Sequence, residues 1–325
     1  MAIDRPVPQL VFVHGIGGPR DPEATLAEWK QALAEGAQGA GLAPEAEALI
    51  EGRSADCSFA YYGDLFASEG AQGADSPEAA DEEQAAIMLA LMTEFLDELL
   101  ELPEHRQNVR LRRLRRQLGP LDDAQGVGHV GRLLATGLAS VGAIPGLHLG
   151  ARALSRGAFL RILSQPGRYL RRGYPDAAGL TLDRRIRDRI LARLDPSRPA
   201  IVVAHSLGTV VALEALSEYP GPVPLFVTLG SPITTHAVVW PLLRPRPPAT
   251  PATVAAWADF RDSDDLVVPK RRLAKAVVPN ARGVGPVSDR MESALLWPHD
   301  ATVYLRRREV AATVLRTLAE PAPRA

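Results

Sequence analysis

Residues 200–216 constrain this chain more than any other stretch. A short apolar run, Ala200-Ile201-Val202-Val203-Ala204, passes through His205 into Ser206-Leu207-Gly208-Thr209. An apolar, helix-compatible segment with Val210, Val211, Ala212, Leu213 and Leu216 follows at once. Strand, sharp turn, helix is the context in which a small-x-Ser-x-Gly spacing lifts a serine Oγ above a sheet. Positions two before and two after that serine lie where strand and helix nearly touch, so they must be small. Ala204 and Gly208 satisfy this. The N–H of Leu207 opens the helix and can face a developing negative charge. The plainer account of the same residues is a serine that caps a helix after a buried strand.

With these residues in place the chain resembles the α/β-hydrolase superfamily, in particular its lipase and esterase branch, with Ala204 where glycine is commoner. Three further stretches carry the resemblance. His14-Gly15-Ile16-Gly17-Gly18 follows an apolar run at 8–14 and is similar to the His-Gly turn after the third strand of many lipases. The resemblance implies that the N–H of Ile16, or of Gly17, is the second oxyanion donor beside Leu207, with His14 orienting the turn. The rival reading is a phosphate loop, but the stretch lacks both the Lys-Ser/Thr of a P-loop and the Gly-x-Gly-x-x-Gly of a dinucleotide fold.

The family order is Ser, then acid, then His. Asp265-Leu266-Val267-Val268-Pro269 matches a familiar form of the acid turn, with Asp262 and Asp264 as competitors. Downstream of it His299 is the single histidine, on a loop before an expected C-terminal helix whose apolar residues Val303, Val310, Val314 and Leu318 face the sheet. The resemblance thus implies Ser206 as nucleophile, His299 as base and Asp265 as its orienting acid. A serine hydroxyl needs that pair to become a nucleophile at neutral pH.

The expected architecture is α/β: an α/β-hydrolase fold with a mostly parallel sheet of about six strands and a large helical cap insertion. Two family strands are expected to be missing, because the chain opens almost directly on the oxyanion strand. Strands are read at 8–14, 56–62, 200–205, 223–229 and 254–260, and helices at 21–35 and 182–194. A turn follows at Gly230-Ser231-Pro232, and residues 234–251 read as an irregular, proline-rich rim loop. The core is assigned to 1–66 and 179–325, and the cap to 67–178.

Within the cap, residues 77–101 read as an acidic helix with an apolar stripe through Ile87, Leu91, Phe95 and Leu99. Residues 104–118 are arginine-dense. Their simplest use is a solvated face paired with the acidic helix, and the alternative is contact with anionic lipid. Residues 133–151 carry no Asp, Glu, Lys or Arg. Three readings compete there: a buried pair of short helices, an interfacial element, and a membrane span.

A net charge of −1 gives no general case for nucleic-acid binding. One cysteine, Cys57, excludes an internal disulfide framework. The histidines are scattered and no His-Glu-x-x-His occurs, so no metal site is expected, and acyl transfer through a serine needs no cofactor. The absence of a basic segment followed by an apolar one at the start points to a cytoplasmic protein, with peripheral membrane contact through the cap left open. The function expected is hydrolysis of carboxylic esters, of lipase, phospholipase, esterase or thioesterase type. The alternatives are a non-catalytic or membrane-docking module on the same fold, and a membrane-associated effector that cuts lipid.

Overall fold

The computed structural model describes residues 7–16, 20–70, 89–118, 165–262, 265, 268, 272–291 and 299–320, apart from scattered positions within 91–104 and 171–177 and residue 237. Six strands form one all-parallel sheet: β1 (Gln9–Val13), β2 (Asp56–Ala60), β3 (Ala200–His205), β4 (Leu225–Leu229), β5 (Trp257–Asp262) and β6 (Pro286–Met291). Their spatial order is β2-β1-β3-β4-β5-β6.

The central strands are apolar at nearly every position because both faces of the sheet are covered, as parallel sheets require. Side chains alternate along them with a period of two. Leu10, Phe12, Ile201, Val203 and Val227 pack on one face against Trp29 and Leu33 of α1 (Pro22–Gly39) and Val310 and Val314 of α9 (Arg308–Ala319). Val11, Val13, Val202 and Ala204 pack on the other against α5 (Leu182–Leu191) and α6 (Leu207–Glu218). Asp21 caps α1, its carboxylate accepting from the N–H groups of Glu23 and Ala24, and Pro22 sits where a missing N–H costs nothing.

β1 pairs with β2 on one side and β3 on the other. The chain therefore winds outward in both directions from the β1/β3 boundary. In an open parallel sheet the crevice at the carboxyl ends of the strands, at such a switch point, is where sites form. The turns after β1, β3, β4 and β5 and the segment after β6 all open at that end.

Several boundaries differ from the sequence reading. Helix α2 (Ala43–Ile50) and strand β6 were not anticipated. β6 reads Pro-Val-Ser-Asp-Arg-Met and is an edge strand with exposed polar positions, so it lacks the apolar run that marks the others. β5 starts three residues later than expected and ends two residues later, so that it takes in Asp262. The proline-rich rim holds a four-residue helix, α7 (Val239–Leu242). The single C-terminal helix is two, α8 (Ala301–Leu305) and α9, broken at Arg306 and Arg307.

In the segment assigned to the cap, α3 (Gly63–Gly70) leads in from β2. The stripe expected through Ile87, Leu91, Phe95 and Leu99 lies outside the described residues. Among those described, Leu89, Met92 and Leu96 are the buried positions. α4 (Val109–Gln117) buries Leu111 and Leu114 and turns Arg112, Arg113 and Arg116 outward. Arg115 makes a two-point pair with Asp97, at 2.5 and 2.9 Å, so part of the arginine face does meet an acidic neighbour. Residues 133–151 lie outside the described residues; among those described, no helix is long and apolar enough to cross a membrane.

Candidate active site

Ser206 stands between β3 and α6 with φ 55° and ψ −132°. A positive φ is costly for a residue with a Cβ and persists only where surrounding packing fixes it. Here the packing comes from β1. A Cβ on Gly15 would lie 2.5 Å from the Ser206 Cβ and 3.0 Å from its Oγ, and a Cβ on Gly208 would run into the carbonyls of Val13 and His14. Gly208 is thus required by the neighbouring strand's exit turn, whose backbone comes closest to it. The same closeness brings the His14-Gly15-Ile16 turn against the serine.

The Ser206 hydroxyl lies 2.9 Å from His299 Nε2, and His299 Nδ1 lies 2.7 Å from Asp265 Oδ2. A carboxylate only accepts, so Nδ1 carries the ring proton and Nε2 offers a lone pair to the serine. His299 directly precedes Asp300, which caps α8 by accepting from the N–H and hydroxyl of Thr302 at 2.8 and 2.7 Å. The imidazole is therefore held at a fixed helix start. Asp265 is deeply buried, 3% exposed, in the turn after β5. Its competitor Asp262 is also buried, at the end of β5, with Arg307 at 4.0 Å and its N–H donating to the Tyr304 hydroxyl. Asp264 and Gly17 lie outside the described residues.

Three surrounding groups were not identified from sequence. Tyr304, on α8, donates its hydroxyl proton to Asp265 Oδ2 at 2.7 Å. Burial, and then the adjacent Asp265 carboxylate, hold its phenol protonated well above the ordinary range. Gly230, read as part of a simple turn, has φ 56°, and a Cβ there would sit 3.0 Å from Asp265 Oδ2 and 3.2 Å from His299 Nδ1. Its signal was the Gly-Ser-Pro turn directly after a strand, at the edge where the site forms. His205 lies beside His299 with ring centroids 4.8 Å apart. Burial is the main cause that keeps His205 neutral, well below the ordinary imidazole range.

His14 behaves as an orienting group. Its Nε2 accepts the Tyr62 N–H at 3.2 Å, so the ring proton is on Nδ1, which meets the Gly15 carbonyl at 2.6 Å. Tyr62 stacks on the ring at 4.1 Å and donates its hydroxyl to the His14 carbonyl. Burial lowers His14 to about 3, so it stays neutral. The His14 carbonyl is thereby occupied from the β2 side and the Gly15 carbonyl by the turn's own imidazole.

Leu207 is the first residue of α6, and the first N–H groups of a helix have no partner within it. Ile16 is half-buried in the turn that abuts Ser206. The chemistry available is a hydroxyl whose proton can pass to an imidazole, an imidazole braced by a buried carboxylate, and helix-start N–H groups beside them. Among the described residues no group of histidine, cysteine or acidic side chains is placed to hold a metal ion. No protein-family model, curated protein or solved structure was found to match this chain.

Proposed function

We propose that the protein is a serine hydrolase of α/β-hydrolase fold that cleaves carboxylic esters through an acyl-enzyme. The observation that carries this reading is the unbroken path Ser206–His299–Asp265, with contacts of 2.9 and 2.7 Å, assembled from the entries to two helices, α6 and α8, and the turn after β5. A nucleophile after the central strand, an acid after the fifth and a base after the last support the fold assignment.

In this mechanism Ser206 Oγ attacks the ester carbonyl carbon while His299 Nε2 takes the hydroxyl proton. The N–H groups of Ile16 and Leu207 receive the negative oxygen, and Asp265 stabilises the imidazolium across Nδ1–H. Collapse expels the alcohol, which takes the proton from Nε2. A water molecule then repeats the sequence, with Nε2 as base, and releases the acid and Ser206. The substrate class is acyl esters, lipids or thioesters among them. No cofactor enters the cycle.

The test is intact-mass analysis after fluorophosphonate treatment of the wild type and Ser206→Ala. One adduct on the wild type and none on the variant supports an activated serine at 206. Folded wild type that stays unmodified, with and without liposomes, overturns the reading in favour of a non-catalytic module.

A further inference from the structure

We propose that Tyr304 is the positioning residue that aims the acid of this site, so that Asp265 serves His299 only while the phenol is bound to it. The inference rests on the hydrolase reading above and adds a fourth group to it. Its basis is one shared oxygen. Asp265 Oδ2 accepts from His299 Nδ1 and from the Tyr304 hydroxyl, both at 2.7 Å.

The direction of the phenol is fixed by elementary bonding. The Asp262 N–H lies 3.2 Å from the phenol oxygen and can only donate. The hydroxyl has one proton, and that proton faces a carboxylate, which can only accept. The phenol therefore receives from the end of β5 and gives to the segment after it, bridging Asp262 and Asp265. The oxygen that holds the imidazole proton is pinned from a second direction, which fixes the ring that offers Nε2 to Ser206.

Tyr304 sits on α8, the helix that starts directly after Asp300, the cap residue that follows His299. The base, at the entry to this short helix, and the group that aims its acid, within it, thus lie on one short stretch of chain. The ring is 1% exposed and lies 6.1 Å from the His205 ring, which borders His299 on another side. Removing the hydroxyl alone leaves this packing in place, so the hydroxyl's role is separable from the ring's.

The experiment compares full-length wild type, Tyr304→Phe, Asp265→Asn and the double variant, each checked for folding by circular dichroism. Fluorophosphonate labelling rates are measured across pH. We expect Tyr304→Phe to label about tenfold more slowly, in line with the loss of a hydrogen bond to a charged group. The acid limb of its profile moves to higher pH, because a carboxylate relieved of one donor holds the imidazole proton harder. On the Asp265→Asn background the same substitution adds nothing, as expected of a residue acting through Asp265. Equal slowing on both backgrounds, or a wild-type profile in Tyr304→Phe, overturns the proposal.

A second readout does not depend on labelling. The downfield proton resonance of His299 Nδ1–H, assigned by its loss in His299→Gln, shifts in Tyr304→Phe. Should that variant not fold, 3-fluorotyrosine at 304, a stronger donor with the same ring, shifts the resonance instead. An unmoved resonance overturns the proposal. An unlabelled wild type whose resonance does move overturns the hydrolase reading and leaves the role of Tyr304 standing.

Discussion

Helix α6 carries a polar network at each of two places, and the two are built to opposite ends. At its start, Ser206, His299, Asp265 and Tyr304 form an open line whose last atom is the Ser206 hydroxyl oxygen. Two turns along, Glu214 anchors a closed cluster. Tyr169 donates to it at 2.5 Å, Arg172 pairs with it, and the Arg244 N–H donates to it at 2.9 Å. Arg187 reaches Asp183 at 2.6 Å and Glu214 at 3.6 Å, and Arg172 stands 3.6 Å from Asp183. Both networks place a phenol on a buried carboxylate. In the cluster, two cations and two buried anions neutralise one another, with Glu218 on its rim 3.2 Å from Arg187, and tie residues 169 and 172 to the core. In the line, one end of the chain of bonds is left to exchange a proton.

The comparison teaches that burial of charge alone does not mark a site. Closed, neutral clusters cost about as much desolvation as their attraction returns, and they serve to specify one arrangement. A line with a displaceable end can do chemistry. The sharpest way to break this distinction is Ser206→Ala. We expect hydrolysis to fall about a millionfold while the melting temperature stays near that of the wild type. A collapse in stability would show that the line, too, is chiefly structural.

Next in size is the choice of acid. Asp265→Asn should lower turnover by about ten-thousandfold, since the amide favours the wrong imidazole tautomer. Asp262→Asn, which leaves the His299 contact in place, should cost far less. The reverse order in kcat, measured on one ester at one pH, would transfer the acid's role to Asp262.

On the other network, Glu214→Ala removes the nearest anion of the buried Arg172 and leaves two buried cations to share Asp183, and should destabilise the fold by about 3–5 kcal/mol in urea. The fraction still folded should label with fluorophosphonate at close to the wild-type rate. Stability unchanged with labelling lost would mean that the cluster feeds the site.

How far the sequence reaches follows the same division. The elbow, the His-Gly turn, the acid turn and His299 were legible because each is a short local pattern with a steric or chemical reason for its spacing. β1, β3 and β4 were legible because a sheet covered on both faces demands continuous hydrophobic runs, and β2 and β5 because shorter aromatic patches, Phe59 with Tyr61 and Tyr62 and Trp257 with Phe260, mark them. β6 was missed because an edge strand lacks that demand, and its Val287 is 72% exposed. The break between α8 and α9 was missed because Val303, Val310 and Val314 keep an apolar rhythm across it. Tyr304 and Gly230 were missed for a different reason. Their partners come from turns far away in sequence, so only the assembled sheet brings them to Asp265. The Glu214 cluster was missed likewise, its arginines looking like any others in an arginine-rich chain.

The smallest expected effect concerns pH, and it belongs to the open end of the sheet, where two buried histidines flank the line. His14 is held at about 3 by burial, against 6.5 in an exposed chain, and His205 is lowered in the same direction. As pH falls through 6.5 the unfolded chain takes up protons that the folded chain refuses, so unfolding gains ground. The stability is fully present above pH 6.5 and drains away toward pH 3. For His14 alone the loss is about 3 kcal/mol by pH 4.5. The cluster around Glu214 contains no imidazole and adds nothing of this kind. Urea unfolding of the wild type between pH 7.5 and 4.5 should show the slope, and His14→Gln should flatten it even though the variant starts less stable. A slope unchanged in His14→Gln would mean that the ring takes a proton in the folded state, and that its Nε2 is not committed to the Tyr62 N–H. The turn carrying Ile16 would then be held by packing alone, and the two networks would differ less than their geometry implies.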